Sequence, residues 1–354
     1  FSLYNEEKDI YRTYVGTDVR TRQCFIDGVR AVRARSEGTD GLKNAVYQSD
    51  YGLTTTDTSI ASYRNIQEVE LVYYEAWTQP RITIDHTVQR DGLLEIHVKE
   101  PGWGFMVKKG QTAPTTPVYI ENAYELLDNY GEWYLDSESG WLYYKPRPYE
   151  DPKTMTATLP VGEYLIEMNG GADAVVHNIE FRDLCFAYTT WMRPSGNYGH
   201  SDAQSNTIRQ NGDTMSPSAV MIHNARYVDF YDCTFTKLGI NALSYYHTMQ
   251  ECNISGNKFY DISGNGIVMG LNTGAGDASF DYLIDINPAE YKYYCINNSI
   301  DNNYIIDVGV EYGASVGIAA AFPKCSKISH NEIANLRYSG MHIGYGWASL
   351  EKSG

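Results

Sequence analysis

The sequence lacks several features that mark common protein classes. It contains no run of about 18 apolar residues, so we expect no membrane-crossing helix. Its six cysteines form no CxxC pair or zinc spacing, and GxSxG, HExxH and nucleotide-binding glycine motifs are missing. Basic residues are few, because 28 Lys and Arg stand against 44 Asp and Glu, a net charge of −16. An acidic chain repels phosphates, which argues against nucleic acid as a partner.

The remaining composition is that of a folded protein rich in tyrosine. Charged residues make up 20% and hydrophobic residues 43%, which excludes a disordered acidic tail. The 354 residues suffice for one large domain or two domains of about 150 residues. The 31 Tyr, against 10 Phe and 6 Trp, suit strands and sugar-facing surfaces. We expect the cysteines to be buried thiols and leave disulfides as the alternative; they are Cys24, Cys185, Cys233, Cys252, Cys295 and Cys325.

Residues 1–165 are predicted to form a β-rich capping domain. Segments such as IQEVELVYYEAW and PRITIDHTV are rich in β-branched and aromatic residues with period-two stretches. Apolar residues at helical spacing predict a short helix at Glu121–Asp128, and EWYLD, SESG and WLYYKP predict a hairpin that ends at residue 146. The segment PRPYEDP ends this run, so we place a domain boundary near residue 165.

An internal repeat dominates residues 166–354. Five similar stretches, FRDLCF, FYDCTF, ISGNKF, IDNNYI and ISHNEI, begin at positions 181, 230, 254, 300 and 328. Their shorter spacings are typical of one coil of a parallel β-helix, and the two long gaps predict insertions at 193–217 and 271–291. Stacked Asn257, Asn303 and Asn331 predict a hydrogen-bonded ladder at one turn. A leucine-rich repeat is the competing fold, but its LxxLxL motif is absent.

The fourth coil departs from this repeat. Val316 follows Val308 by eight residues instead of the usual five, which predicts a three-residue insertion. The sequence as a whole predicts an all-β chain, a parallel β-helix preceded by the capping domain.

Four segments resemble a known group of enzymes. PVYIENAYELLDNYGEWYLDSESGWLYYKPRPYED, FAYTTWMRPSGNYGHSDAQ, GNKFYDISGNGI and YSGMHIGYGW resemble bacterial right-handed parallel β-helix glycoside hydrolases, with the lacto-N-biosidase type nearest. The resemblance implies a secreted or cell-surface bacterial enzyme that cleaves neutral oligosaccharides with two carboxylates and retention of configuration. Xylosidases and fucosidases on the same scaffold are the alternatives.

The resemblance also implies that coils follow the segment HIGYGW. We therefore expect the C-terminal coils either to be missing or to be supplied by a second polypeptide that completes the β-helix, which would place the main catalytic pair outside this chain. A non-catalytic half that binds glycan or supports a partner chain stays open as an alternative. A polysaccharide lyase is disfavoured, because an acidic chain fits an anionic polymer poorly.

Two carboxylates within the chain are catalytic candidates. Retaining glycosidases hold two carboxyl groups about 5–5.5 Å apart, and adjacent coils stack at about 4.8 Å. Glu311 lies in the extra residues of the fourth coil, and insertions of this kind often carry functional residues. Asp202 lies in the first insertion. A solvated loop acid is the alternative for Glu311. Asp307 aligns with Asp261 and Asn335, so its repeated position predicts turn chemistry instead.

Polar and aromatic residues around these carboxylates are predicted to bind substrate. The motif GHSDAQSNTIR could hydrogen-bond sugar hydroxyls and an acetamido group, or it could be a loop held by its own polar contacts. Trp191 and Trp347 are predicted to stack on sugar rings, and His342 should point outward if Met341 and Ile343 point inward. The predicted substrate-binding residues are Trp191, His200, Gln204, Arg209, Tyr312, His342 and Trp347.

No cofactor or metal site is predicted with a defined ligand set. Asp277, Asp281 and Asp285 are spaced four apart in the second insertion, which suggests calcium only weakly because no EF-hand pattern is present. A solvated acidic loop is the alternative.

Overall fold

The computed structural model describes residues 1–38, 42–109, 116–171, 174–196, 199–209, 214–270, 295–321 and 323–343. The chain divides into two compact units. Unit 1 contains Phe1–Val161 and Met192–His200, and unit 2 contains Gly162–Trp191 and Ser201–Gly354. The protein is mostly β, with 48% strand and 7% helix, which confirms the all-β class.

Unit 1 is built mainly from antiparallel sheets. The predicted hairpin is present, with Trp133 opposite Tyr144 and Asp136 opposite Trp141. One sheet has the order Ser2–Asn5, Ile10–Tyr14, Trp141–Tyr144, Glu132–Asp136, Val32–Arg33. A second has the order Tyr119–Glu121, Glu70–Val72, Arg81–Arg90, Leu93–Val98, Gly52–Thr55, Val46–Gln48. A third has the order Ala157–Thr158, Phe25–Ile26, Val29–Arg30.

The helices of unit 1 differ from the prediction. The α-helix is Gly102–Lys109, with Trp103 and Met106 buried among Leu71, Ile82 and other strand residues. The predicted helix at 121–128 is wrong, because Tyr119–Glu121 is a strand paired with Glu70–Val72 and only the 3-10 turn Tyr124–Leu126 follows. The hydrogen bonds that pair Tyr119–Glu121 with Glu70–Val72 outweigh the helical spacing of the apolar residues in this segment. The other 3-10 helices of the unit are Thr58–Ser62 and Ile66–Glu68.

The repeats of unit 2 are built from strands that pair in parallel with the equivalent strands of the next repeat. Phe235 lies opposite Phe259, which lies opposite Ile305, which lies opposite Ile333. This sheet has the order Cys185–Ala187, Thr234–Leu238, Lys258–Ile262, Tyr304–Val308, Glu332–Ala334. A larger sheet contains Ile166–Asn169, Val176–Arg182, Ser218–Tyr231, Asn241–Gln250, Asn253–Ser255, Ile267–Met269, Cys295–Ile296, Ser299–Asp301, Ile318–Ala320, Pro323–Lys324, Lys327–Ser329 and Met341–Ile343.

Three left-handed corners recur in every repeat, each five residues after the last. The first repeat has them at Asn178, Asp183 and Tyr188, all with positive φ. Asp307 has φ 50°, and its equivalents Asp261 and Asn335 have φ 54°, which confirms the predicted turn role. Asn and Asp tolerate this conformation better than other residues with a Cβ. The remaining corners are Tyr227, Asp232, Lys237, Glu251, Gly256, Asn297, Asn302, Cys325 and His330.

The predicted asparagine ladder is confirmed. The side-chain oxygen of Asn303 accepts hydrogen bonds from the backbone N–H and the side-chain Nδ2 of Asn257, both at 3.0 Å. Asn331 accepts the same two bonds from Asn303, both at 2.9 Å. Asn257 in turn accepts from the Cys233 N–H at 2.9 Å. The ladder therefore satisfies buried amides at the same corner of successive repeats.

The insertion in the fourth repeat is longer than predicted. Ile318, not Val316, lies opposite Ile267, so five extra residues separate Asp307 from the next core position. Ile318 is buried in the interior cluster of unit 2, and the preceding Gly317 is buried as well. This burial sets the register of the strand. The predicted insertion 271–291 lies outside the described residues.

The six cysteines carry free thiols. Cys24, Cys233, Cys252 and Cys295 are buried, as predicted, whereas Cys185 and Cys325 are exposed. Cys252 and Cys295 belong to the interior cluster of unit 2, beside Met249 and Ile254.

Candidate active site

A sharp turn, Gln204–Asn206, lies at the centre of the candidate site. It follows the strand Gly199–Ala203 and precedes Thr207–Arg209, which pairs with Thr214–Met215. The strand Gly199–Ala203 also pairs with Ser195–Gly196, with His200 opposite Ser195. His200, Asp202 and Arg209 lie on these strands, and their side chains are outside the described part of the chain. The described part of the first insertion therefore contains strands on both sides of this turn.

The turn is strongly held although its backbone conformation is unfavourable. Ser205 and Asn206 have φ 57° and 55°, and both side chains are fully buried. The Ser205 N–H donates to the Ala314 carbonyl at 2.9 Å, and the Ser205 carbonyl accepts from Asn265 Nδ2 at 2.6 Å. Non-glycine residues persist in this conformation only when their surroundings over-determine it.

A second asparagine set joins this turn to the repeats. Asn206 Nδ2 donates to Asn241 Oδ1 at 2.9 Å, and that oxygen also accepts the Asn265 N–H at 2.7 Å. Asn265 Oδ1 accepts the Val316 N–H at 2.8 Å. Gly264 permits this packing, since a Cβ there would lie 2.4 Å from Asn241 Oδ1. Sequence reasoning missed this set, although Asn241 and Asn265 have the same separation of 24 residues as Cys233 and Asn257.

The insertion of the fourth repeat passes next to the turn. Glu311 is half-buried, and its N–H lies 3.4 Å from the Ser263 carbonyl. Tyr312 is fully buried, its N–H donates to the same carbonyl at 2.9 Å, and its ring meets Trp191 edge-on at 5.4 Å. The structure thus brings the rings of Trp191 and Tyr312 together. Glu311 directly precedes Tyr312 in the chain.

Trp191 and Tyr312 do not face solvent. Trp191 is 1% exposed and Tyr312 0%, and both pack with Ile240 and Ile208. A pyranose needs an open indole face, so in this structure Trp191 does not offer the predicted platform. Its aromatic surface instead supports the insertion that carries Glu311.

His342 is the residue of the last described strand that reaches the turn. It is opposite Ala319, on the sheet face away from the interior residues Ile318 and Ala320, which agrees with its predicted outward direction. Its Nδ1 is 2.6 Å from Ser205 Oγ. Burial lowers the pKa of the His342 imidazole, which favours the neutral ring. Gln204, the turn's first residue, donates from Nε2 to the Tyr338 hydroxyl at 3.2 Å.

Two groups of candidates lie outside the described residues. These are Trp347 and the acidic residues Asp277, Asp281 and Asp285. Within the described ranges, no group of three or more His, Cys, Asp and Glu side chains could hold a metal ion. None of the helices in those ranges is long and apolar enough to span a membrane.

Two comparisons show what this chain is similar to. Residues 13–147 match the family model described as "GH141 insertion domain". The chain also matches a solved structure named "Glycoside hydrolase" at 26% identity and a TM-score of 0.81. That match covers 98% of this chain and 64% of the other, so the chain spans less than two thirds of its neighbour's length. The comparison with curated proteins found no match.

Proposed function

We propose that this chain acts as a glycoside hydrolase, and that unit 2 is a right-handed parallel β-helix that carries the active site. One observation carries the proposal: a structure named glycoside hydrolase matches 98% of the chain with a TM-score of 0.81. The matched insertion domain, which falls within unit 1, supports the same class independently. The parallel register from Phe235 through Ile333 supports the β-helix.

The proposed reaction uses two carboxylates, with Glu311 and Asp202 as the candidates in this chain. In a retaining mechanism one carboxylate attacks the anomeric carbon while the other protonates the departing glycosidic oxygen. The second group then takes a proton from water, which cleaves the glycosyl-enzyme ester and restores both residues. Support for Glu311 comes from its half-buried position in a five-residue insertion. Support for Asp202 comes from the sequence resemblance and from its strand, which leads into the buried turn.

The proposed substrate is a neutral oligosaccharide, with lacto-N-biosidase-like specificity first. The sequence resemblance supports that specificity, and it equally supports a secreted or cell-surface enzyme. The net charge of −16 supports a neutral rather than an anionic glycan. Gln204, a polar residue of the turn, stays a proposed substrate contact, together with His200, Arg209 and Trp347, whereas His342 bonds Ser205 Oγ and is assigned to the turn instead of the sugar.

Replacement of Glu311 tests the mechanism. Glu311→Gln keeps size and polarity but removes the carboxylate, so we expect kcat on an aryl lacto-N-bioside to fall by about 10³-fold or more. Asp307→Asn is the matched control, because it alters a carboxylate four residues away at a corner where Asn is equally at home. Unchanged turnover in Glu311→Gln, with a folded protein, would remove Glu311 from the catalytic pair.

A substrate panel tests the class and the specificity. Aryl glycosides of lacto-N-biose, xylose and fucose would be compared with the wild-type chain at equal concentration. Release from the lacto-N-bioside supports the proposed specificity, whereas release from xylose or fucose alone supports the alternative hydrolases. Binding of these sugars without release would favour a non-catalytic, glycan-binding role.

A further inference from the structure

The buried residue Ser205 joins the two segments that carry the proposed carboxylates. Its N–H donates to the carbonyl of Ala314, three residues after Glu311, at 2.9 Å. Asp202 lies three residues before Ser205 in the chain. A shift at Ser205 therefore moves one segment relative to the other.

Three further hydrogen bonds hold Ser205 and the adjacent Asn206. Asn265 Nδ2 donates to its carbonyl at 2.6 Å, and Asn206 beside it donates to Asn241 at 2.9 Å. The Ser216 N–H donates to the Asn206 carbonyl at 3.2 Å. These bonds come from neighbouring repeats and from the far end of the same insertion, and together they hold two successive left-handed residues.

His342 contacts the side chain of Ser205, whereas the bonds from Ala314 and Asn265 involve only the Ser205 backbone. It is half-buried, lies on the last described strand, Met341–Ile343, and reaches Ser205 Oγ at 2.6 Å. A neutral ring with Nδ1 unprotonated accepts a hydrogen bond from the Ser205 hydroxyl, and one with Nδ1 protonated donates a hydrogen bond to it; either bond orients Ser205. A second side-chain hydrogen bond, from Gln204 Nε2 to the Tyr338 hydroxyl at 3.2 Å, holds the first residue of the turn.

We propose that Ser205 and His342 are positioning residues, whose hydrogen bond sets the place of the strand Gly199–Ala203, and so of Asp202, relative to the Glu311 segment. This inference rests on the proposed function. Catalytic groups must be held to within a fraction of an ångström, and a misplacement of about 1 Å costs about 100-fold in rate. Residues that position a catalytic group change kcat more than KM, since they act on the transition-state geometry rather than on uniform binding.

Kinetics of four variants on the hydrolysed aryl glycoside test the proposal. Ser205→Ala and His342→Ala should each lower kcat about 10–100-fold with KM within about threefold of wild type. The double variant should lose no more than either single variant, because the two residues act through one bond. His342→Asn, which keeps a polar atom near Nδ1, should recover most of the activity.

The matched control is His330→Asn. His330 is an exposed histidine at a corner of the same unit, with φ 53° and its Nδ1 2.9 Å from Asp301. It should keep wild-type kcat and KM. If Ser205→Ala or His342→Ala lowers only the concentration of active enzyme, with unchanged kcat per folded molecule, the residue has a merely structural role and the proposal is overturned. Unchanged kcat in Ser205→Ala would overturn it as well.

Hydrogen exchange separates this inference from the proposed function. If the wild type hydrolyses no glycoside, the proposed function fails, and the catalytic part of the inference fails with it. The strand placement is then judged by exchange alone: Ser205→Ala should speed exchange at residues 199–209 but leave the ladder amides of Cys233, Asn257 and Asn303 unchanged. Identical exchange in variant and wild type would overturn the placement as well.

Discussion

Glu132 shows how much one buried side chain can contribute to pH dependence. It is 3% exposed, and one carboxylate oxygen accepts the N–H groups of Asn129 at 3.0 Å and Asp128 at 3.2 Å. Burial raises the pKa of Glu132 to about 7, although these backbone bonds oppose the rise. The folded state therefore holds a proton that the unfolded state releases near pH 4.5.

The sign of the resulting pH effect follows from that raised pKa. The stabilisation is full below about pH 4.5 and is lost as the pH rises through about 7. Glu132→Gln should flatten the change in unfolding free energy between pH 5 and 8 by about 2 kcal/mol, after allowance for partial hydration. Denaturant unfolding at several pH values measures this, with exposed Glu138→Gln as control. A slope equal to wild type would contradict the raised pKa.

The role of a single residue could be inferred from the sequence only where other repeats have a residue at the equivalent position. Asp307 could be assigned to a turn because Asp261 and Asn335 occupy the same place in other repeats, and all three have positive φ. Trp191 offered no such comparison, and its sequence neighbours do not show that Tyr312 covers it. Glu132 gave no signal either, because its burial depends on strands distant in sequence.

At the scale of elements, the asparagine ladder should be a main stabiliser of unit 2. Asn303 Oδ1 accepts two bonds from Asn257, and its Nδ2 donates to the Ile254 carbonyl at 2.8 Å and to Asn331 at 2.9 Å. Asn303→Ala leaves several of these buried partners unsatisfied, so we expect a loss of about 3 kcal/mol in unfolding free energy.

The control for the ladder is a neighbouring exposed asparagine. Asn297 lies at a left-handed corner with φ 56° and bonds Glu251 at 3.0 Å on the surface. Asn297→Gly keeps that conformation, so we expect a change within about 0.5 kcal/mol. Chemical denaturation of both variants compares them, and equal losses would show that the ladder itself contributes little.

Repeated elements could be predicted from the sequence, and unique ones could not. The ladder at Asn257, Asn303 and Asn331 followed from the aligned stretches. The helix at 121–128 did not form because sheet pairing with Glu70–Val72 prevails over local spacing. The turn at Ser205 could not be foreseen, since its partners Asn241, Asn265 and Ala314 lie in three different places along the chain.

At the scale of the whole molecule, the proposed hydrolase activity should depend on the charge of the substrate. A net charge of −16 produces a field that opposes anionic ligands and leaves neutral ones unaffected. We expect a sialylated or sulfated analogue to show a lower kcat/KM than the neutral glycoside at low salt. The difference should shrink as salt is raised, because screening shortens the reach of the field.

Salt titration of both substrates measures this effect. The neutral glycoside is the internal control, and its kcat/KM should change little with salt. A salt-independent penalty on the anionic analogue would point to a local clash in the site instead of the overall charge.

The spacing of the left-handed corners has a consequence for how such a chain can diversify. Within each repeat the three corners keep a constant separation, while the stretch from the third corner to the next first corner ranges from Lys237–Glu251 to the longer Tyr188–Tyr227. New sequence therefore enters only between the third corner of one repeat and the first corner of the next, and the five-residue spacing of the corners is kept. A designer who wished to add new loops would therefore have a tolerant stretch in each repeat, before or after the strand that lies between its third corner and the next first corner.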